Sequence, residues 1–186
     1  MAVHYPYQGV FKNPLVAPDL LGVSSGACVG ASVAILLHLN SFGVQAMAFV
    51  AGILAVGLTL FIPRLIKNTN MTMLVLSGII VKGIMDSVMG IIKYVADPET
   101  ELQSITYWQL GSLTKVLPKD LFTVGPVIVA ASVIIFLLRW RINILSLGDR
   151  EAKTLGVSVT VVRNFIIICA TLLTASAVCI LSLIHI

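Results

Sequence analysis

The sequence predicts an all-α, polytopic bundle of about five transmembrane helices. Three observations carry that prediction. The 186 residues are 58% hydrophobic and 11% charged, against about 25% charged in an ordinary soluble domain. The apolar residues fall in runs close to the roughly 20 that cross a ~30 Å hydrocarbon core. Of the twelve Lys and Arg, all but Lys82 and Lys93 lie outside those runs. A chain this apolar cannot bury its surface in a small globule, so the bilayer is its natural solvent.

The spans follow in order. The first covers 20–39 and carries no charge. The second, 43–62, is also uncharged and ends at Pro63-Arg64, where proline and a cation both favour a stop. The third, 71–95, is interrupted by Lys82, Asp86 and Lys93. The fourth, 121–138, ends at Arg139-Trp140-Arg141, and the fifth begins after Arg163 and runs from Phe165 to the end of the chain.

Basic residues near span ends set orientation. With Lys12 in the cytoplasm, Arg64, Lys67, Arg139, Arg141, Arg150, Lys153 and Arg163 lie there too, which makes eight. The opposite side receives Lys115 and Lys119 beside Asp97, Glu99, Glu101 and Asp120. The N-terminal side of the first span is therefore expected inside. The sparse cations form no patch, which argues against a nucleic-acid partner.

Two connections are long. The outer segment 96–120 contains ITYWQLGSL, and Tyr107 and Trp108 suit a helix at the membrane surface. Two readings stand side by side: an interfacial anchor, or a short helix at the outer mouth of a pathway. The inner segment 143–162 contains Ser146 and Asp149 in an S-x-x-D pattern, a variant of the capping box. The polar GDREAKTL follows, with Ala152 and Leu155 as a small apolar face and Gly156 as a left-handed terminator. Start and stop signals of this kind predict a short capped helix on the cytoplasmic side, suited to docking.

Gly22, Gly26 and Gly30 recur every fourth residue in the first span. That spacing places them on one helix face, where a second backbone packs closely without help from a hydrophobic driving force.

Four blocks, QGVFKNPLVAPDLLGVSSGA at 8–27, ITYWQLGSL at 105–113, NILSLGDREAKTLGVSV at 143–159 and LLTASAV at 172–178, closely resemble the permease subunits of ATP-driven importers for iron-siderophores, haem or cobalamin. This is the FecCD family, related to the vitamin B12 importer permease. The resemblance implies a family fold of about ten spans, of which this sequence offers five, lacking the first two and the last three. It implies one partial permease domain over 1–186 in a bacterial or archaeal inner (plasma) membrane. It further implies an ATP-binding subunit, an external substrate-binding protein and a second permease subunit as partners, besides membrane lipid. The third block resembles the segment that couples to the ATPase, which carries that role to Leu147, Gly148, Asp149, Glu151, Ala152, Leu155, Gly156 and Val157. The second block resembles an outer helix beside the pathway.

The residues themselves offer no catalytic set. There is no GxxxxGK[ST], so ATP chemistry falls to another chain. Ser24 and Ser25 have no His or charged neighbour in sequence and read as packing hydroxyls. Cys28, Cys169 and Cys179 all lie in apolar spans without a CxxC, and His4, His38 and His185 are scattered. Neither a metal site nor a cofactor is expected. Lys82 and Asp86, four apart, share a helix face near mid-span, about 16 Å from Met71 for the lysine. They read either as lining a pathway or as a self-neutralising pair between helices. An ion-coupled secondary carrier built on this pair is the rival reading, and a nonfunctional membrane fragment is the other.

Overall fold

The computed structural model describes residues 21–66, 71–111, 118–147, 152, 154–156 and 158–181. Six helices are bounded within them: α1 (Val23–Leu36), α2 (Ser41–Leu65), α3 (Met71–Val95), α4 (Glu101–Leu110), α5 (Pro118–Leu147) and α6 (Val159–Leu181). Ala152 and Thr154 are also helical. No strand occurs among the described residues. The architecture is thus all-α, as the hydropathy predicts.

Among the described residues, four stretches are long and apolar enough to cross a membrane: Ser41–Leu65, Thr72–Val95, Gly125–Leu145 and Val161–Val178. They correspond to the second through fifth predicted spans. The first is a helix of 14 residues as described, about 21 Å long at 1.5 Å per residue.

Local chemistry sets the ends. α1 stops in a Schellman motif: Leu39 N–H donates to the Ala34 carbonyl at 3.0 Å and His38 N–H to the Ile35 carbonyl at 2.9 Å. His38 takes φ 51° there, a left-handed conformation that histidine tolerates better than most side chains. Asn40 then caps α2, its side-chain oxygen accepting from Gly43 N–H at 2.9 Å. The connection between the two helices is correspondingly tight.

Two boundaries differ from the sequence prediction. α5 continues past Arg141 to Leu147, so 143–147 belong to the long helix rather than to the connection. Ser146 is therefore inside a helix and does not serve as an N-cap, a position that needs non-helical backbone. The cause is burial: Ile144 and Leu145 pack against α6, and helical geometry keeps them there. α6 likewise begins at Val159, six residues before the predicted Phe165, and Arg163 is buried within it. Val159, Val162 and Ile166 form the stripe that extends it, packing in the cluster that holds Leu145 and Ala152.

The helices run alternately up and down. Leu21, Val23, Val56, Leu74, Ile144, Leu145, Val159 and Ile166 join in one cluster. It gathers the starts of α1, α3 and α6 with the later parts of α2 and α5. Near the other end, Cys28, Met89, Ile92, Ala96 and Ile105 form a separate cluster that seats α4 on α1 and α3.

Candidate functional site

The α1–α2 contact is the tightest feature of the bundle. A Cβ on Gly26 would stand 2.5 Å from the Ala55 Cβ and 2.9 Å from the Ala51 carbonyl oxygen. On Gly30 it would collide with the Met47 carbonyl oxygen and stand 2.6 Å from the Ala51 Cβ. Real side chains do not fit at such distances, so backbone meets backbone here. Gly52 on α2 returns the arrangement: its open side faces the Val23 carbonyl, Ala27 and Ala175 of α6. Three helices thus meet around small residues.

Gly22 has a different part. It precedes α1 as its N-cap with φ 74°, and its open side faces the backbone of Lys82 on α3 at 3.4 Å. A left-handed N-cap turns the chain away from the helix axis, so Gly22 leaves the stripe that Gly26 and Gly30 share. The structure brings two of the three glycines together against α2 and sends the third to α3. Polar links reinforce both contacts. Buried Thr59 donates to the Leu21 carbonyl at 3.1 Å, and Ser32 on α1 donates to the Met89 sulfur on α3 at 3.4 Å.

Lys82 is half-buried and Asp86 exposed, both on α3. Asp86 lies about 22 Å along the helix from Met71, well inside a 25-residue apolar element. An ionisable group at such depth faces protein or a water-filled cavity rather than lipid, because a charge amid lipid tails costs several kcal/mol. The face of α3 that carries Asp86 is left bare by the described residues.

Helix α4 is held by an apolar side chain beside the aromatic pair. Ile105 is fully buried, whereas Tyr107 is 67% exposed. Trp108 is half-buried and packs beside the clusters of α1 and α3. The i, i+3 row of Leu102, Ile105 and Trp108 was the available signal for Ile105. The helix is also tied by its first residue: Glu101 accepts from Asp97 N–H at 3.0 Å and lies 3.6 Å from His38 Nε2 at the end of α1.

In the connection after α5, Gly148, Asp149, Glu151 and Val157 lie outside the described residues, as does the 8–20 part of the first motif. Leu147 ends α5. Ala152 and Leu155 do not share a face: Ala152 is fully buried among Leu145, Val159 and Val162, while Leu155 is 60% exposed. Gly156 takes φ 76°, the left-handed conformation that ends helices. The segment therefore roots itself in the bundle through Ala152 and presents Thr154, Leu155 and Gly156 outward. Among the described residues, no three His, Cys, Asp or Glu stand close enough to hold a metal.

The model of the FecCD transport family matches residues 5–185. An iron chelatin transport system permease protein of Helicobacter pylori is 36% identical over 171 residues, covering 92% of this chain and 51% of its own. The molybdate import system permease protein MolB of Haemophilus influenzae is 33% identical over 174 residues, covering 93% of this chain and 51% of its own. A solved structure of an inward-facing metal-chelate type ABC transporter superposes with a TM-score of 0.91 at 31% identity, covering 98% of this chain and 59% of that one. The chain spans about half the length of the curated relatives it matches.

Proposed function

This chain belongs to the FecCD transport family, and on that premise we propose that it forms transmembrane permease structure in an ATP-driven importer for iron-siderophore, haem or cobalamin complexes. The observation that carries the proposal is the family match across nearly the whole sequence, joined to the fold likeness to a metal-chelate transporter. Relatives named for iron chelatin, cobalamin and hemin support the cargo class.

In this reading the protein is a transport subunit of a bacterial or archaeal cytoplasmic membrane and hydrolyses nothing itself. A separate ATP-binding subunit docks on the inner connection, where Thr154, Leu155 and Gly156 are presented outward. Ala152 roots that connection in the bundle, and the family resemblance carries the coupling role to Leu147, Gly148, Asp149, Glu151 and Val157 as well. An external binding protein delivers cargo on the side of Tyr107 and Trp108, and a second permease subunit completes the path. Lys82 and Asp86 stand on the α3 face that such a path requires to be polar.

Uptake of labelled iron chelates, haem and cobalamin by cells with and without this chain tests the proposal. Loss of uptake of one such cargo on removing the chain, with abolition by ATP depletion, is the expected result. Uptake that survives ATP depletion but collapses with the proton gradient would instead establish an ion-coupled carrier using Lys82 and Asp86.

A further inference from the structure

We propose that the outward face of α5 binds an anionic phospholipid, with its phosphate held by Arg139 and Arg141 beside Trp140 and its acyl chains along the apolar stripe toward mid-membrane.

Val129, Val133, Phe136, Leu137 and Trp140 fall on one face of α5 by helical spacing, and each is more than half exposed. Trp140 ends the stripe at 71% exposed, as amphipathic aromatics do at the interface. Arg139 and Arg141 are both exposed and flank it, one on each side.

The direction of the helix decides what the arginines meet. Helical side chains tilt toward the N-terminus of their own helix. At this end of α5 the N-terminus points back into the membrane, so snorkelling out to bulk water works against the Cα–Cβ direction. The structure shows the consequence: the Arg139 guanidinium carbon lies 4.4 Å over the Phe136 ring, one turn nearer the span centre. A cation held at that level needs an anion. Among the described residues, no carboxylate lies within ion-pair distance of Arg139 or Arg141. The phosphate of a lipid headgroup sits at this depth, and its acyl chains match the stripe beneath. A free phosphate would have no use for the stripe.

The test uses tryptophan quenching by brominated lipid. Trp108 and Trp140 are the two tryptophans of the chain, so the Trp108→Phe variant reports from Trp140 alone. It is reconstituted into dibrominated phosphatidylcholine diluted with unbrominated phosphatidylglycerol or, in parallel, unbrominated phosphatidylcholine. The expected result is that phosphatidylglycerol relieves quenching at about fivefold lower mole fraction, the preference expected of one arginine near the surface, and more if both act. R139Q/R141Q should abolish the difference, and R139K/R141K should keep most of it. Equal relief by the two lipids overturns the site. Absence of quenching at any bromolipid content also overturns it, because protein then covers the face. Far-ultraviolet dichroism identical to the parent shows that each variant is folded.

Discussion

The hydroxyl of Thr59 reaches from α2 to the carbonyl oxygen of Leu21, 3.1 Å away, at the turn that enters α1. The same hydroxyl lies 3.1 Å from the Ala55 carbonyl of its own helix, so one proton is shared between an acceptor within the helix and one across to the start of α1. Thr59→Val keeps the shape and removes the donor. The expected cost is about 0.6–1.7 kcal/mol, the range for hydrogen bonds between membrane helices. Reversible unfolding in mixed detergent micelles measures it, and an unchanged midpoint would mean the bond contributes nothing net.

Glycine positions separate cleanly. Gly26→Ala should destabilise by about 1–3 kcal/mol, because overpacking forces α1 and α2 apart, and Gly26→Leu should disrupt assembly. Gly57 lies on the same partner helix with nothing within 4 Å of an added Cβ. Gly57→Ala should therefore be neutral, or stabilising by up to about 1 kcal/mol through helix propensity. Parallel thermal denaturation of the two alanine variants is the check, and similar shifts would refute the close contact.

How much of this was legible in the sequence depends on the physical signal. Hydropathy located the spans because every lipid-facing turn must be apolar. It misplaced the end of α5 and the start of α6, because there the helices continue into protein contacts. Ile144, Leu145 and buried Arg163 obey packing, not the lipid boundary. Spacing puts Gly26 and Gly30 on one helix face, and both meet α2, but periodicity alone could not reveal that Gly22 sits at a left-handed cap. In the inner connection, Gly156 announced its conformation by type. Ala152 and Leu155 looked equivalent, and only the tertiary contacts sent one inward and the other outward. Ile105 belongs to an i, i+3 row with Leu102 and Trp108, a row too short to stand out beside the Tyr107-Trp108 pair that marks an interface.

Lys82 and Asp86 are expected to be energetically linked. If Lys82→Met impairs uptake, Lys82→Met combined with Asp86→Leu should be milder, since the second change removes the carboxylate left without its counter-charge. A double-mutant cycle on uptake rates measures the linkage. Strict additivity would leave the two residues with independent roles.

Charge bias predicts the sidedness. In a background with Cys28, Cys169 and Cys179 replaced by Ala, a single cysteine at exposed Glu99 should react with a membrane-impermeant maleimide in intact cells. One at exposed Leu155 should react after the membrane is opened, and not before. The reverse pattern would invert the topology and remove the inner connection from the reach of any ATPase.

The connection after α5 is proposed to dock an ATP-hydrolysing subunit through the outward residues Thr154, Leu155 and Gly156. A photo-crosslinking amino acid at Leu155, in living cells, tests it most directly, with the same probe at Leu137 on the exposed face of α5 as control. The expected result is that Leu155 captures an ATP-binding protein identifiable by mass spectrometry, that Leu137 does not, and that Gly156→Val weakens the capture by disturbing a left-handed cap that costs a side chain about 1 kcal/mol or more. Capture of no ATP-binding protein from Leu155, or equal capture from Leu137, would contradict it.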